Sequence, residues 1–260
     1  FKVNPSVFIN PLKSSDYKNY NFFCSTNLVF FLLRFILFKN RENKKFNLTK
    51  YLIYAALGTI CDVMPLRGLN RYLSIEAINS FNLNEDNAFS HILKFNKINR
   101  KLTIDDLGYL IGPVLNSGGR LGKSKLATKL LISEDKKEIE KISKELLYTN
   151  EKRKIIEERT LEKIEGNIGL NKNYIFHIEE HISEGILGII AARLAEKYNK
   201  PVILATYSGN VIKGSARSVE EIDIGKILLN LKQKNILIKG GGHAMAGGFS
   251  LLKKNIKKEN

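Results

Sequence analysis

The 260 residues predict an α/β fold, and three observations carry that reading. Strand-like and amphipathic helical runs alternate from residue 170 to 252, the pattern of α/β layers. A stretch free of Gly and Pro, Glu134 to about Glu165, reads as one long helix. Hydrophobic residues make up 43% of the chain, enough for packed cores and too much for wholesale disorder.

Taken in order, the first zone runs from residue 1 to about Ser133. Val7-Phe8-Ile9-Asn10 is a short strand-like piece. Leu28 to Phe38 is the most apolar run. Arg34 interrupts it, and it falls short of the ~20 residues of a membrane span, so it is expected as a buried helix with Arg34 at its edge. A second helical stretch, Leu48 to Leu57, leads into Gly58-Thr59-Ile60-Cys61-Asp62. Ile104 to Leu131 has apolar positions at helical spacing on both sides of a glycine-rich break. In the long helix Ser133 is the expected N-cap. Ile139, Ile142, Leu146, Ile156, Leu161 and Ile164 recur at helical spacing among dense Lys and Glu, predicting a mostly solvated helix that connects two domains. Gly166 and Gly169 end it. The third zone holds strands at Tyr174–Ile178, Pro201–Thr206, Val211–Ser215 and Phe249–Leu252. Its helices are Glu184–Tyr198 and Asp223–Lys234, the latter capped by Asp223. The tail after Lys253 is polar and Lys-rich.

The net charge is +16, from 42 Lys+Arg against 26 Asp+Glu. Such an excess suits a polyanionic partner, above all nucleic acid. It also suits a Lys-rich solvated surface, since 32 of the cations are Lys and 10 are Arg. Cys24 and Cys61 are far apart and lack metal-type spacing, which argues against a disulfide-stapled fold or a zinc ribbon and for a reduced, cytoplasmic setting. The opening Phe1-Lys2-Val3-Asn4 has no initiator Met and no signal-peptide pattern, so a piece of a longer protein is expected.

Four segments hold residue types suited to chemistry. In Gly58 to Arg71, Asp62 is a lone carboxylate in an apolar stretch. It reads either as a helix or turn cap or as a ligand of a hard cation such as Mg²⁺ or Mn²⁺. In Gly112 to Lys123, small residues let a ligand approach, and Arg120 and Lys123 offer donors to phosphate; the alternative is a plain turn between helices. In Lys213-Gly214-Ser215-Ala216-Arg217-Ser218, the alternation puts Lys213, Ser215 and Arg217 on one strand face, either a phosphate track or an ordinary solvated face. In the loop Gly240-Gly241-Gly242-His243-Ala244-Met245-Ala246-Gly247-Gly248, backbone N–H groups and His243 offer an anion cradle without the lysine-plus-hydroxyl of a P-loop. His91 and His177 have no evident partners and read as structural or surface groups.

Together these segments resemble the RecJ-type single-stranded-DNA exonucleases of the DHH phosphoesterase superfamily. Gly58 to Arg71 is similar to that family's fourth metal motif, and Gly112 to Gly122 to its glycine-arginine loop. Glu184-Gly185-Ile186-Leu187-Gly188-Ile189-Ile190-Ala191-Ala192-Arg193-Leu194 is similar to the opening of the DHH-associated domain. Lys213 to Ser218 and Gly240 to Gly248 are similar to that domain's two substrate-facing motifs. The resemblance runs from about residue 5 to 252. It implies the C-terminal part of a DHH catalytic domain over 1–133, a connecting helix over 134–169, a smaller α/β DHH-associated domain over 170–254 and a polar tail over 255–260.

By the same resemblance Asp62 would ligate a catalytic Mn²⁺ or Mg²⁺, one of two ions in the whole protein. Arg120, Lys213, Ser215, Arg217, Gly240, Gly241, Gly242 and His243 would hold the phosphates of single-stranded DNA, including its 5′ end. The implied activity is metal-dependent 5′-to-3′ hydrolysis of single-stranded DNA in repair and recombination, by a monomeric cytoplasmic protein with no membrane attachment. The family's Asp-rich and Asp-His-His motifs are not found in these residues, and Ile182-Ser183 replaces its Trp-His pair. The chain alone is therefore expected not to hydrolyse DNA. Two other readings stand beside this one: a DHH-superfamily phosphodiesterase of short oligonucleotides or cyclic dinucleotides, and a non-catalytic single-strand-binding module.

Overall fold

In a computed structural model, residues 10–13, 22–41, 46–169 and 172–256 are described. The expected strand at residues 7–10 lies outside them except for Asn10, as do tail residues 257–260. Contacts divide the chain into two compact units. One comprises Phe1–Leu115 and Leu130–Lys144, the other Asn116–Lys129 and Glu145–Asn260.

The first unit is helical among the described residues. Helix α1 (Ser25–Lys39) is followed by a 3-10 turn (Leu48–Tyr51), α2 (Leu52–Cys61), α3 (Gly68–Ser80) and α4 (Ala88–Phe95). The expectation of a buried first helix is wrong. Only Asn27 and Phe30 of α1 are buried, whereas Phe35 is 58% and Phe38 70% exposed. α1 is apolar all round, and the packing of Phe30 with Ala55 and Leu73 covers only one part of that surface. Its position is fixed partly by polar contacts. The buried Asn27 amide donates to Thr59 Oγ1 (2.9 Å) and Asn70 Oδ1 (2.8 Å), tying α1 to α2 and α3. The Asn70 amide donates onward to the Phe22 and Pro65 carbonyls. Asp106 anchors the next segment, accepting from both Arg100 guanidinium nitrogens (2.6 and 2.9 Å) and from the Thr103 amide and hydroxyl.

The sequence predicts a glycine-rich loop over 112–123, and here too the structure differs. A π-helical turn (Asp106–Ile111) runs directly into helix α5 (Gly112–Arg120). Gly118 serves close packing and Gly122 a left-handed turn. A Cβ on Gly118 would lie 2.7 Å from the Lys123 carbonyl oxygen, and Gly122 adopts φ +81° in the turn before α6 (Lys125–Ile132).

Helix α7 (Lys136–Glu165) is the predicted long helix. Its cap is Asp135, whose carboxylate accepts from the Lys137 and Glu138 amides, and not Ser133, whose hydroxyl donates to Glu138. It is less solvated than its Lys and Glu content suggests. Ile139, Ile142, Leu146 and Ile164 are buried, and so is Glu157, which pairs with Arg153 and, at 3.5 Å, with Arg193 of the following helix. A buried carboxylate is tolerable there because two guanidiniums hold it.

The remainder of the second unit is a five-stranded mixed sheet with helices, the α/β architecture expected. The elements are β1 (Ile175–Ile178), α8 (Glu184–Tyr198), β2 (Val202–Ser208), β3 (Val211–Arg217), α9 (Ile224–Gln233), β4 (Lys239–His243) and β5 (Ala246–Leu252). The strand order is β1-β2-β3-β5-β4. β1 pairs with β2 in parallel and the other neighbours are antiparallel. Ile186, Ile190 and Leu194 of α8 are buried with Val202, Leu204 and Ile164 in one core. Ile224 and Leu228 of α9 are buried with Ile212, Ala216 and Leu251 in another. Asp223 caps α9 as predicted, accepting from the Lys226 amide at 2.9 Å. The glycine run 240–242 is strand, not loop: it lies in β4, an edge strand joined to β5 by a two-residue turn. His91 and His177 both have acidic neighbours, Asp86 at 3.3 Å and Glu179 at 3.2 Å.

A candidate anion pocket at the start of helix α8

Arg120, read above with residues 1–133, falls in the same compact unit as Lys213, Ser215 and Arg217. The first turns of α8 gather all four. Arg120 is the last residue of α5. Its carbonyl accepts from Ser183 Oγ (2.9 Å), and its Nη1 donates to the Gly185 carbonyl (3.1 Å). This two-way docking requires a glycine, because a Cβ at 185 would stand 2.5 Å from the Arg120 carbonyl oxygen. Three residues on, a Cβ at Gly188 would stand 2.8 Å from Arg217 Nη2 and 3.1 Å from Ser215 Oγ. The bare helix surface at 185 and 188 is thus what admits Arg120 on one side and the β3 side chains on the other.

Arg217 closes β3 and is half-buried. Its Nη1 donates to Ser215 Oγ (3.0 Å) and to the Ala216 carbonyl (2.9 Å). Burial, and then the positive charge of Arg120, depress its pKa below the usual guanidinium value. Among the described residues neither arginine is ion-paired with a carboxylate. A half-buried guanidinium that feels a second positive charge with no anion beside it is an arrangement that an oxyanion relieves. The leading amides of α8 add partial positive charge. Lys213 shares the face but is engaged, its Nζ lying 2.7 Å from Glu184 Oε1.

Of the other predicted site residues, Gly241 and His243 of β4 lie in register with Ser215 and Arg217, with β5 between the two strands. Gly240 and Gly242 have packing reasons to be glycine. A Cβ on the first would meet Leu228's carbonyl oxygen at 3.0 Å, and one on the second would meet Ala246's at 2.2 Å, while Gly241 faces open space. His243 is exposed at the hairpin turn, where its Nδ1 accepts weakly from the Met245 amide at 3.4 Å. Asp62, in the other unit, is the C-cap residue of α2 and is exposed, so no burial of its charge has to be offset. The neighbouring Cys61 is exposed, but partial desolvation of its thiol, followed by the Asp62 charge, raises its pKa. No group of three or more His, Cys, Asp and Glu among the described residues could hold a metal ion. A single exposed carboxylate does not make a Mg²⁺ or Mn²⁺ site, which takes several oxygen donors.

The sequence singles out Arg120, Lys213, Ser215 and Arg217, which the structure brings to the start of α8, but not Ser183, Gly185 and Gly188, which seat Arg120, Ser215 and Arg217 there. The available signal was two glycines three residues apart on an amphipathic helix, the spacing that bares one helix face.

Residues 171–259 match the DHHA1 domain family. The chain is 32% identical over 224 residues to the single-stranded-DNA-specific exonuclease RecJ of Salmonella typhimurium, and equally so to that of Escherichia coli K12. Each alignment covers 79% of this chain and 38% of the relative, so the chain spans well under half the length of these curated relatives. Two crystal structures of Thermus thermophilus RecJ, in complex with Mg²⁺ and with Mn²⁺, superpose with TM-scores of 0.69 and 0.70 at 28% identity. They cover 79% of this chain and 32% and 31% of theirs. No helix among the described residues is long and apolar enough to cross a membrane. The chain carries a DHHA1 domain and, over the 79% of its length that it shares with them, is a homologue of the RecJ exonucleases.

Proposed function

We propose that this chain is the strand-holding portion of a metal-dependent, single-stranded-DNA-specific 5′-to-3′ exonuclease acting in cytoplasmic DNA repair and recombination. The observation that carries the reading is the Arg120–Arg217 pair, two guanidiniums without carboxylate partners among the described residues, held with Ser215 against the first turns of α8. A terminal phosphate of a single strand fits this donor set: each guanidinium offers a fork, the hydroxyl a third donor and the helix start a favourable field. Lys213 joins them if phosphate draws it from Glu184. The Gly240–Gly242 edge strand and His243 guide the strand beyond its first phosphate. Asp62 is one carboxylate ligand of Mn²⁺ or Mg²⁺, and the described residues do not complete that set. The domain scheme 1–133, 134–169 and 170–254 goes with this reading.

The test is equilibrium binding of a 5′-phosphorylated oligothymidylate across a salt series. Arg217→Ala should weaken binding about tenfold, the worth of a hydrogen bond to a charged group, and should flatten the salt slope by about 0.7. Unchanged affinity and slope would mean that the arginine pair does not contact the strand.

A further inference from the structure

The long helix carries a row of side chains that the pocket does not use. Tyr148, Lys152, Ile155 and Arg159 of α7 follow one another at spacings of four, three and four, which puts them on one face of the helix. All four are exposed, Tyr148 by 62% and Ile155 by 48%. They belong to the second compact unit, and the opposite side of this stretch is buried through Leu146, Asn150 and Glu157. Glutamates adjoin the row, yet the ion pairs form elsewhere: Lys154 pairs with Glu151, and Arg153 with Glu157. Lys152 and Arg159 have no ion pair among the described residues. The Lys152 ammonium instead lies 5.1 Å from the Tyr148 ring centroid. A helix face that serves only solvation has no need of an exposed tyrosine and isoleucine between its cations.

We infer that Tyr148, Lys152, Ile155 and Arg159 form a second contact surface for single-stranded nucleic acid, reached by the strand beyond its 5′ end. A base stacks on the Tyr148 ring with Ile155 beside it, and Lys152 and Arg159 meet the flanking phosphates. From Tyr148 to Arg159 the row extends about 17 Å at the ~1.5 Å rise of a helix, long enough to meet more than one nucleotide. An exposed aromatic between cations is the composition that binds single strands without regard to sequence. The inference rests on the strand-holding reading above and extends it from the terminal phosphate to the body of the strand.

The test compares a long oligothymidylate with a 5′-phosphorylated dinucleotide on the full chain. Tyr148→Ala should weaken the long strand about tenfold, and Tyr148→Phe should retain its affinity, because stacking needs the ring and not the hydroxyl. Lys152→Ala with Arg159→Ala should flatten the salt slope for the long strand by about 1.4, near 0.7 for each cation removed. None of these variants should change dinucleotide binding. Unchanged long-strand affinity and slope in all of them, with Arg217→Ala still impaired, would overturn the inference and leave the pocket reading standing. Failure of the unsubstituted chain to bind any strand would overturn both. Oligoglutamate binding that is lost in the double variant, with strand binding intact, would overturn the inference in favour of an acidic protein partner.

Discussion

Helices α1 and α8 are both fifteen residues long and both rich in apolar side chains, yet they end in opposite environments. In α8 the apolar residues Ile186, Leu187, Ile190, Ala191, Leu194 and Ala195 recur at three- and four-residue steps, and all are buried. In α1 they fill nearly every position from Leu28 to Phe38, and most remain exposed. A one-sided apolar arrangement is hidden by one packed layer, whereas a helix apolar all round needs cover on every side. The contrast also explains how each helix is held. α8 is seated by core packing along its length, whereas α1 is held by Phe30 in a small core with Ala55 and Leu73 and by the amide of Asn27.

The largest expected effect tests that contrast directly. Leu194→Ala should cost about 2–5 kcal/mol by urea denaturation, because Leu194 is fully buried. Phe38→Ala on α1 should fall within about 0.5 kcal/mol. Equal costs would mean that the face of α1 is covered in solution and would erase the difference. The next test probes how finely α8 is fitted. Gly185→Ala should cost about 1–3 kcal/mol, since the new methyl meets backbone at Arg120. Gly188→Ala should cost less stability, since it meets the movable end of Arg217, but should weaken strand binding by displacing that guanidinium. The smallest effect concerns the helical unit. Its Asp106 carboxyl is held below the usual carboxylate pKa, chiefly by Arg100 and against the opposing effect of burial, with help from Thr103. A lowered folded-state pKa gives stability that is present above the unfolded value near 4 and is lost as pH falls through the folded one. The denaturation midpoint should therefore drop below about pH 4, and Asp106→Asn should be the less stable protein at pH 7 with a flatter acid limb. An unaltered limb in the variant would show that other carboxylates dominate.

Much of the second unit was legible in the sequence because its signals are local. The bounds of α8 and the Asp223 cap follow from periodicity and cap chemistry over a few residues. The glycine run in β4 was misread because glycine disfavours strands. It is strand here because β5 pairs with it and α9 packs close, the Leu228 carbonyl oxygen lying 3.0 Å from where a Gly240 Cβ would stand. Of the candidate pocket, the alternation of Ser215 and Arg217 was visible along one strand. Their meeting with Arg120 was not, because it depends on α5 and α8 docking across a long stretch of chain. The exposure of α1 was equally hidden, since it is set by the absence of a one-sided pattern and not by any single residue.

The docking of Arg120 on Gly185 also bears on how this protein can vary. At Gly188 an added methyl would meet side-chain atoms of Ser215 and Arg217, so a smaller residue at either partner makes room for it. At Gly185 it would meet only the main chain of Arg120, which is the same whatever residue stands there. Position 188 therefore admits compensating second-site changes and position 185 does not. A suppressor screen started from Gly188→Ala should recover substitutions at 215 or 217, while one started from Gly185→Ala should return only to glycine.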